Sequence, residues 1–132
     1  MKNYDIITAE IKVKITDEDI DDIMTTAFNG GINYWCYNAE IVEDKYLGDL
    51  TEEQISRGGK IRLYVEEPFD DYETEEYILD KNKLLKGIKM AMEKYGLDIN
   101  LDDHMHISID DVDADAADVI IQYALFGEIV YC

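Results

Sequence analysis

Glycine positions divide this chain into segments, and the segments before them carry helical patterns of apolar residues. Glycines stand at 30 and 31, at 58 and 59, at 96 and at 127. Glycine adopts the left-handed backbone conformation that commonly ends a helix, at little energetic cost. The apolar residues before these glycines recur at three- and four-residue intervals, which is typical of a helix with one buried side. The sequence therefore predicts helices that end at these glycines, with strands between them.

Three long helices and one short helix follow from this pattern. Thr16, Asp80 and Asp113 are the expected N-terminal caps, because a side-chain oxygen at that position accepts a hydrogen bond from a backbone N–H group of the first turn. Thr51 and Gln54 predict a capping box for the short helix. The predicted helical ranges are 17–28, 51–58, 81–95 and 114–125.

Strands are predicted where apolar and polar residues alternate. Residues 7–15 alternate throughout, with isoleucines on one side and two lysines on the other, as in a strand buried on one face. Further strands are predicted at 32–37, 60–66, 77–79, 105–109 and 129–131, and the third and fourth strands, 60–66 and 77–79, are expected to form a hairpin. These elements predict a single α+β domain over residues 1–132, with a small, mainly antiparallel sheet packed against about three helices.

The charge balance limits which partners the protein can bind. The chain has 31 Asp and Glu residues against 12 Lys and Arg residues, a formal net charge of -19. Because 47% of the residues are hydrophobic, the acidic residues are expected on a folded surface rather than in a disordered chain. Such a surface repels nucleic acid and anionic membranes and attracts basic proteins. No stretch has the 18 or so apolar residues of a membrane span, and the N-terminus lacks the apolar core of a signal peptide, so we expect a cytoplasmic protein.

Signatures of catalysis and metal binding are weak. His104 and His106 would share one face of a strand, a geometry compatible with zinc, but neither cysteine is near them in sequence. Two acidic runs, at 98–102 and 111–115, open like a calcium-binding loop but lack the glycine and the final glutamate of that motif. We therefore expect no cofactor, no metal and no enzymatic activity. A zinc enzyme centred on the two histidines is the least favoured alternative.

The segment FNGGINYWCYNAE, at 28–40, contains the only tryptophan of the chain. Trp35 has two interpretations: it covers an edge or a loop while one face of the strand packs on the helix, or it anchors a protein partner, since tryptophan is rarely fully buried and is enriched at interfaces. Further candidate anchors are Tyr34, Tyr37, Tyr72 and Tyr77. Cys36 and Cys132 are too few for a disulfide framework and are expected to be free thiols.

The partner-binding surface is predicted where carboxylates are densest, in the first helix and in the segment 66–76. Neighbouring carboxylates on one helix face lie about 5–6 Å apart, so a row of them offers a basic groove a pattern similar to a nucleic-acid backbone. The predicted partner-binding residues are Asp17, Glu18, Asp21, Asp22, Trp35, Glu66, Glu67, Asp70, Asp71, Glu75 and Glu76.

Three stretches carry a resemblance to a group of known proteins: TDEDIDDIMTTAFNGGINYWC near the start, EQISRGG at 53–59 and DADAADVIIQYALFGEIVYC at the end. They resemble small acidic proteins of phages, prophages and conjugative elements of gut Firmicutes, a setting that includes anti-CRISPR and anti-restriction inhibitors. The resemblance implies a non-catalytic inhibitor that mimics DNA and binds a basic nucleic-acid-binding host protein, such as a defence nuclease. The alternative is an accessory or structural protein of the mobile element that binds a protein partner through an aromatic patch around Trp35. Association into a homodimer stays open.

Overall fold

Three α-helices and a three-stranded antiparallel sheet make up the part of the chain that the computed structural model describes, residues 3–66 and 74–132. The α+β fold class and the antiparallel sheet are therefore confirmed. In chain order the elements are α1 (Asp17–Thr26), β1 (Cys36–Ile41), β2 (Ile61–Glu66), β3 (Thr74–Leu79), α2 (Lys81–Met90) and α3 (Ala114–Phe126).

The predicted caps of the three long helices are confirmed. The Thr16 hydroxyl accepts from the Asp19 amide at 3.0 Å, and the Asp19 carboxylate accepts from the Thr16 amide at 2.9 Å, which makes a capping box at α1. Asp80 and Asp113 each accept a hydrogen bond from the backbone amide three residues later, at 2.8 Å. These caps depend on residues close in sequence, so the pattern alone could identify them.

Most of the predicted helix ends are also confirmed. Gly96 and Gly127, with φ of 76° and 73°, end α2 and α3 in the left-handed conformation, and α2 first continues into a wider turn over Ala91–Tyr95. The prediction of a short helix over residues 51–58 is wrong, since the only helical turn there is a 3-10 turn over Thr51–Glu53. Gln54 does not cap it: its buried side chain donates to the Lys45 carbonyl and accepts from the Leu47 amide.

The sheet has the order β1-β2-β3, and its hairpin is the predicted one. Ile61 pairs with Leu79 and Leu63 with Tyr77 across β2 and β3. The strand predicted at 32–37 begins later, at Cys36, because the amides of residues 35 and 36 both donate to the Ile32 carbonyl and so form another turn after α1.

Three predicted strands are wrong. Residues 3–12 are exposed and outside any sheet, with Ile7 87% exposed, and only Lys14 forms a bridge, with His106. The segment 105–109 is a turn with isolated bridges, in which Met105 has φ of 66°. The segment 129–131 is outside the sheet, and its backbone is held by the side chain of Gln122. Alternating sequence cannot supply the neighbouring strand that a sheet requires.

The core lies between the sheet and the helices, and α2 and α3 pack closely within it. Gly87 of α2 faces α3 so closely that an added Cβ atom would lie 2.5 Å from the Ile120 carbonyl oxygen. Leu84, Ile88 and Ile121 are buried around this contact. Within the described ranges, no helix has the length and apolar character needed to cross a membrane.

Candidate functional site

The four carboxylates of α1 that were predicted to bind a partner divide into two that are paired with other residues of the fold and two that are not. Asp17 accepts from the Lys81 ammonium group at 2.8 Å, and Asp21 accepts from the Ser56 hydroxyl at 2.6 Å. Glu18 and Asp22 are exposed and one helical turn apart, and neither makes a hydrogen bond or ion pair within the described residues. These two therefore carry charge that is available to a partner.

Asp110 adds a third free carboxylate to this side of α1. A shallow cleft of about 340 Å³ lies between α1 and the turn Ile109–Asp111, and both Asp22 and Asp110 line it. We call Glu18, Asp22 and Asp110 the acidic α1 face. The sequence shows the acidic run that contains Asp110, but it does not show that the turn lies beside α1.

The remaining predicted acidic residues lie at 66–76 in sequence, of which the structure describes the end of β2 and the start of β3. Glu76 on β3 lies 3.4 Å from Arg62, and Glu75 accepts a hydrogen bond from the Tyr77 hydroxyl. Three predicted residues, Glu67, Asp70 and Asp71, and the side chain of Glu66 lie outside the described residues. The hairpin is thus a second acidic region, built on the sheet rather than on α1.

A charge network joins Glu40, Arg62, Tyr64 and Glu76 on one face of the sheet. Arg62 lies 3.0 Å from Glu40, and the Tyr64 hydroxyl donates to the same carboxylate. The hydrogen bonds from Tyr64 and then from Arg62 lower the pKa of Glu40, while the bond to Glu40 is the main reason that the pKa of Tyr64 is raised. Glu40 is therefore an ionised group with its partners already in place, unlike the acidic α1 face.

Trp35 is a core residue, so its interpretation as an exposed anchor for a partner is wrong. Its side chain is 3% exposed, and its indole N–H donates to Asp118 at 2.7 Å. The ring stacks on Tyr131 with centroids 5.3 Å apart and packs against Phe126 at 5.6 Å. The physical reason is the turn after α1, which directs Trp35 inward and leaves Tyr34 exposed.

Asp118 of α3 links this aromatic cluster to the surface. Its carboxylate accepts from the Tyr34 hydroxyl, from the Trp35 indole and from the Gln122 amide. Burial, followed by the hydrogen bond to Asp118, raises the pKa of Tyr34 above its ordinary value. Tyr34 therefore stays a neutral phenol that donates a hydrogen bond to the carboxylate.

An open cleft of about 400 Å³ lies beside this network. Tyr34 and Tyr95, which are 55% and 54% exposed, contribute aromatic walls, and Asp115 and Asp118 contribute carboxylates from one side of α3. We call this cavity the tyrosine cleft. Its members come from residues 34, 95, 115–122 and 129–132, a separation along the chain that explains why no short motif reveals the cleft.

The two histidines do not form a shared site. His104 is exposed on the turn, whereas His106 lies between two carboxylates, with Nε2 2.8 Å from Asp19 and Nδ1 3.6 Å from Asp102. The Nε2 contact is not aligned as a hydrogen bond, so it is an electrostatic contact when the ring is protonated. Over residues 3–66 and 74–132, no group of three or more His, Cys, Asp or Glu side chains is arranged to hold a metal ion.

Comparisons with known proteins found no match for this chain. No protein-family model matches the chain, and no curated protein or solved structure is significantly similar to it. The resemblance to proteins of mobile elements therefore stays an expectation.

Proposed function

We propose that the protein is a non-catalytic inhibitor that binds the basic nucleic-acid groove of a host defence protein in the bacterial cytoplasm, of the anti-CRISPR or anti-restriction type. The observation that supports the proposal is the acidic α1 face, where Glu18, Asp22 and Asp110 are exposed and form no ion pair with any residue that the structure describes. A groove that binds phosphates through lysine and arginine would bind these carboxylates by the same release of counterions.

The rigidity of α1 also supports this function. A capping box holds its first turn, and Asp17 and Asp21 are bonded to Lys81 and Ser56. Glu18 and Asp22 are thus presented on a helix whose position is fixed by its neighbours, so little backbone order has to be created there on binding. The alternative function, binding through an aromatic patch at Trp35, loses its anchor because Trp35 is buried.

The test is capture of partners from a bacterial lysate on immobilised protein, followed by release with duplex DNA or with a NaCl gradient. The variant E18Q/D22N/D110N neutralises the acidic α1 face. A matched control, E93Q/D98N/D103N, removes the same charge from exposed carboxylates elsewhere. A third variant, E67Q/D70N/D71N, tests the predicted residues outside the described ranges.

The expected result is a nucleic-acid-binding protein that duplex DNA displaces and that leaves the column well below about 1 M NaCl. Its capture should fall with E18Q/D22N/D110N and persist with the control. Captured proteins that resist both duplex DNA and high salt would contradict the mimic, as would equal losses in the variant and the control. A lysate that yields no nucleic-acid-binding partner would also count against it.

A further inference from the structure

The tyrosine cleft has the composition of a site for an organic cation. Tyr34 and Tyr95 expose about half of their surface at its walls, and Val119 and Ile129 add apolar contacts. Asp115 and Asp118 are three residues apart on α3 and both line the cleft. The lining within the described chain includes no lysine or arginine, so the charge of the cleft is negative and its walls are partly apolar.

The hydrogen bonds already present determine what a ligand has to offer. The Tyr34 hydroxyl donates a hydrogen bond to Asp118, and its oxygen accepts a long hydrogen bond of 3.5 Å from the Gln122 side-chain amide. The Asp118 carboxylate is also engaged by Trp35 and Gln122. Asp115 is exposed and makes no hydrogen bond or ion pair within residues 3–66 and 74–132. The acceptor that the described residues leave free in the cleft is therefore the Asp115 carboxylate, and the complementary ligand is a donor with positive charge.

We infer that the tyrosine cleft binds an alkyl guanidinium group, with Asp115 as its carboxylate partner and Tyr34 and Tyr95 as its aromatic walls. A guanidinium plane stacks on aromatic rings and donates to a carboxylate in a two-point arrangement, which a compact ammonium group cannot do. The alkyl part of the ligand would contact Val119 and Ile129. This site is distinct from the acidic α1 face and does not depend on the proposed function.

Two sources can supply this chemistry: an arginine side chain of a protein partner, or a free small molecule. N-acetyl-arginine amide presents the guanidinium as a polypeptide does, and agmatine presents it as a small molecule. N-acetyl-citrulline amide has nearly the same shape without the charge, and N-acetyl-lysine amide has the charge without the plane. Comparing the four compounds therefore shows whether binding requires the positive charge, whether it requires the planar group, and whether the ligand resembles a polypeptide side chain or a free small molecule.

Trp35 can serve as the spectroscopic probe of ligand binding, because it is the only tryptophan of the chain and its indole N–H donates to Asp118 at the cleft. We would titrate each compound at constant ionic strength and follow the indole N–H resonance of Trp35 together with its fluorescence. The arginine derivative or agmatine should shift both signals with saturation, at about millimolar affinity for so small a ligand. The citrulline compound should leave both unchanged, and the lysine compound should bind more weakly.

Matched variants test the assignment of residues. Asp115→Asn and Tyr95→Ala should each weaken binding by about fivefold or more. Asp98→Asn and Tyr46→Ala change an exposed carboxylate and an exposed tyrosine outside the cleft and should leave the affinity unchanged. Far-ultraviolet circular dichroism would establish that all four variants are folded.

Each outcome of these titrations either supports or overturns the inferred guanidinium site. Tighter binding of N-acetyl-arginine amide assigns the site to a side chain of a partner, and tighter binding of agmatine assigns it to a small molecule. Equal shifts with the citrulline compound, equal losses in Asp98→Asn and Asp115→Asn, or no shift with either guanidinium compound would overturn the inference. Guanidinium binding by a protein that captures no nucleic-acid-binding partner would overturn the proposed function and leave this site standing.

Discussion

Cys36 and Cys132 have the same chemistry but different surroundings, which predicts different reactivity. Cys36 is buried on β1, and burial raises the pKa of its thiol, so little thiolate is present near neutral pH. Cys132 is exposed. Ellman's reagent at about pH 8 should therefore label one thiol quickly and the other only after unfolding. Cys132→Ser should remove the fast phase, and two fast thiols in the native protein would contradict the buried position of Cys36.

Gln122 holds the segment after α3, although nothing in the sequence indicates such a role. Its side chain is 1% exposed, accepts from the amides of Val130 and Tyr131 at 2.8 Å, and donates to the Tyr131 carbonyl at 3.0 Å. Gln122→Leu would leave these backbone groups without partners and should lower the free energy of unfolding by about 2–3 kcal/mol, measured by urea denaturation.

The control for this prediction is Gln54→Leu, which removes an equally buried glutamine side chain that is bonded to the backbone of residues 45 and 47. Amide hydrogen exchange at Val130 and Tyr131 should be fast in Gln122→Leu and slower in Gln54→Leu. Unchanged exchange in Gln122→Leu would mean that the segment is held by other contacts.

The contact between α2 and α3 predicts the effect of a single methyl group. A Cβ atom at Gly87 would lie 2.5 Å from the Ile120 carbonyl oxygen and 2.7 Å from the Ala124 Cβ atom. Alanine is usually better than glycine inside a helix by about 1 kcal/mol. Here the steric overlap with the Ile120 carbonyl oxygen should outweigh the gain in helix propensity. Gly87→Ala should therefore lower the free energy of unfolding, measured by urea denaturation, by about 1–2 kcal/mol.

Two comparisons separate packing from helix propensity at this contact. Lys86→Ala, on the exposed side of the same helix, should have little effect. The double variant G87A/A124G removes one of the clashing atoms and should recover part of the loss. A stabilised Gly87→Ala would show that α2 and α3 lie further apart than this packing implies.

The N-terminal segment is predicted to contribute little to folding, despite its alternating pattern. Tyr4, Ile6, Ile7 and Ile11 are exposed, whereas Val13 and Ile15 pack against the core. Deletion of residues 1–11 should change the free energy of unfolding by less than about 1 kcal/mol, because residues 3–11 bury little apolar surface. Thermal and urea denaturation of the shortened chain would check this.

The stability of the shortened chain should be compared with that of Thr16→Ala. Loss of the α1 cap in this variant should lower the free energy of unfolding by about 1 kcal/mol. A shortened chain that is much less stable than Thr16→Ala would mean that residues 1–11 have a partner strand in solution, within the chain or in a second copy.

The net charge of -19 predicts that salt stabilises the protein. Like charges repel one another most in the folded state, and dissolved ions screen this repulsion over about 10 Å at 0.1 M ionic strength. The melting temperature should therefore rise by several degrees between about 20 mM and about 0.5 M NaCl. The variant E18Q/D22N/D110N should melt higher at low salt and respond less to NaCl, and a melting temperature that falls with salt would contradict this account.

The sequence by itself determined the three long helices and their caps, the glycine ends of α2 and α3, the β2–β3 hairpin, the fold class and the acidic character of α1. These features depend on residues within a few positions of one another, so local spacing carries the information. Residues 7–15 alternate as clearly as any strand, but no sheet partner lies beside residues 3–12 within the described chain.

Only the tertiary structure decided which distant residues meet. The burial of Trp35, the place of Asp110 beside α1, and the tyrosine cleft all join residues far apart in the chain. Trp35 and Asp118 are 83 residues apart in sequence and 2.7 Å apart at their bonded atoms. The physical reason is that sheet pairing and core packing are set by contacts between elements, whereas periodicity describes one element at a time.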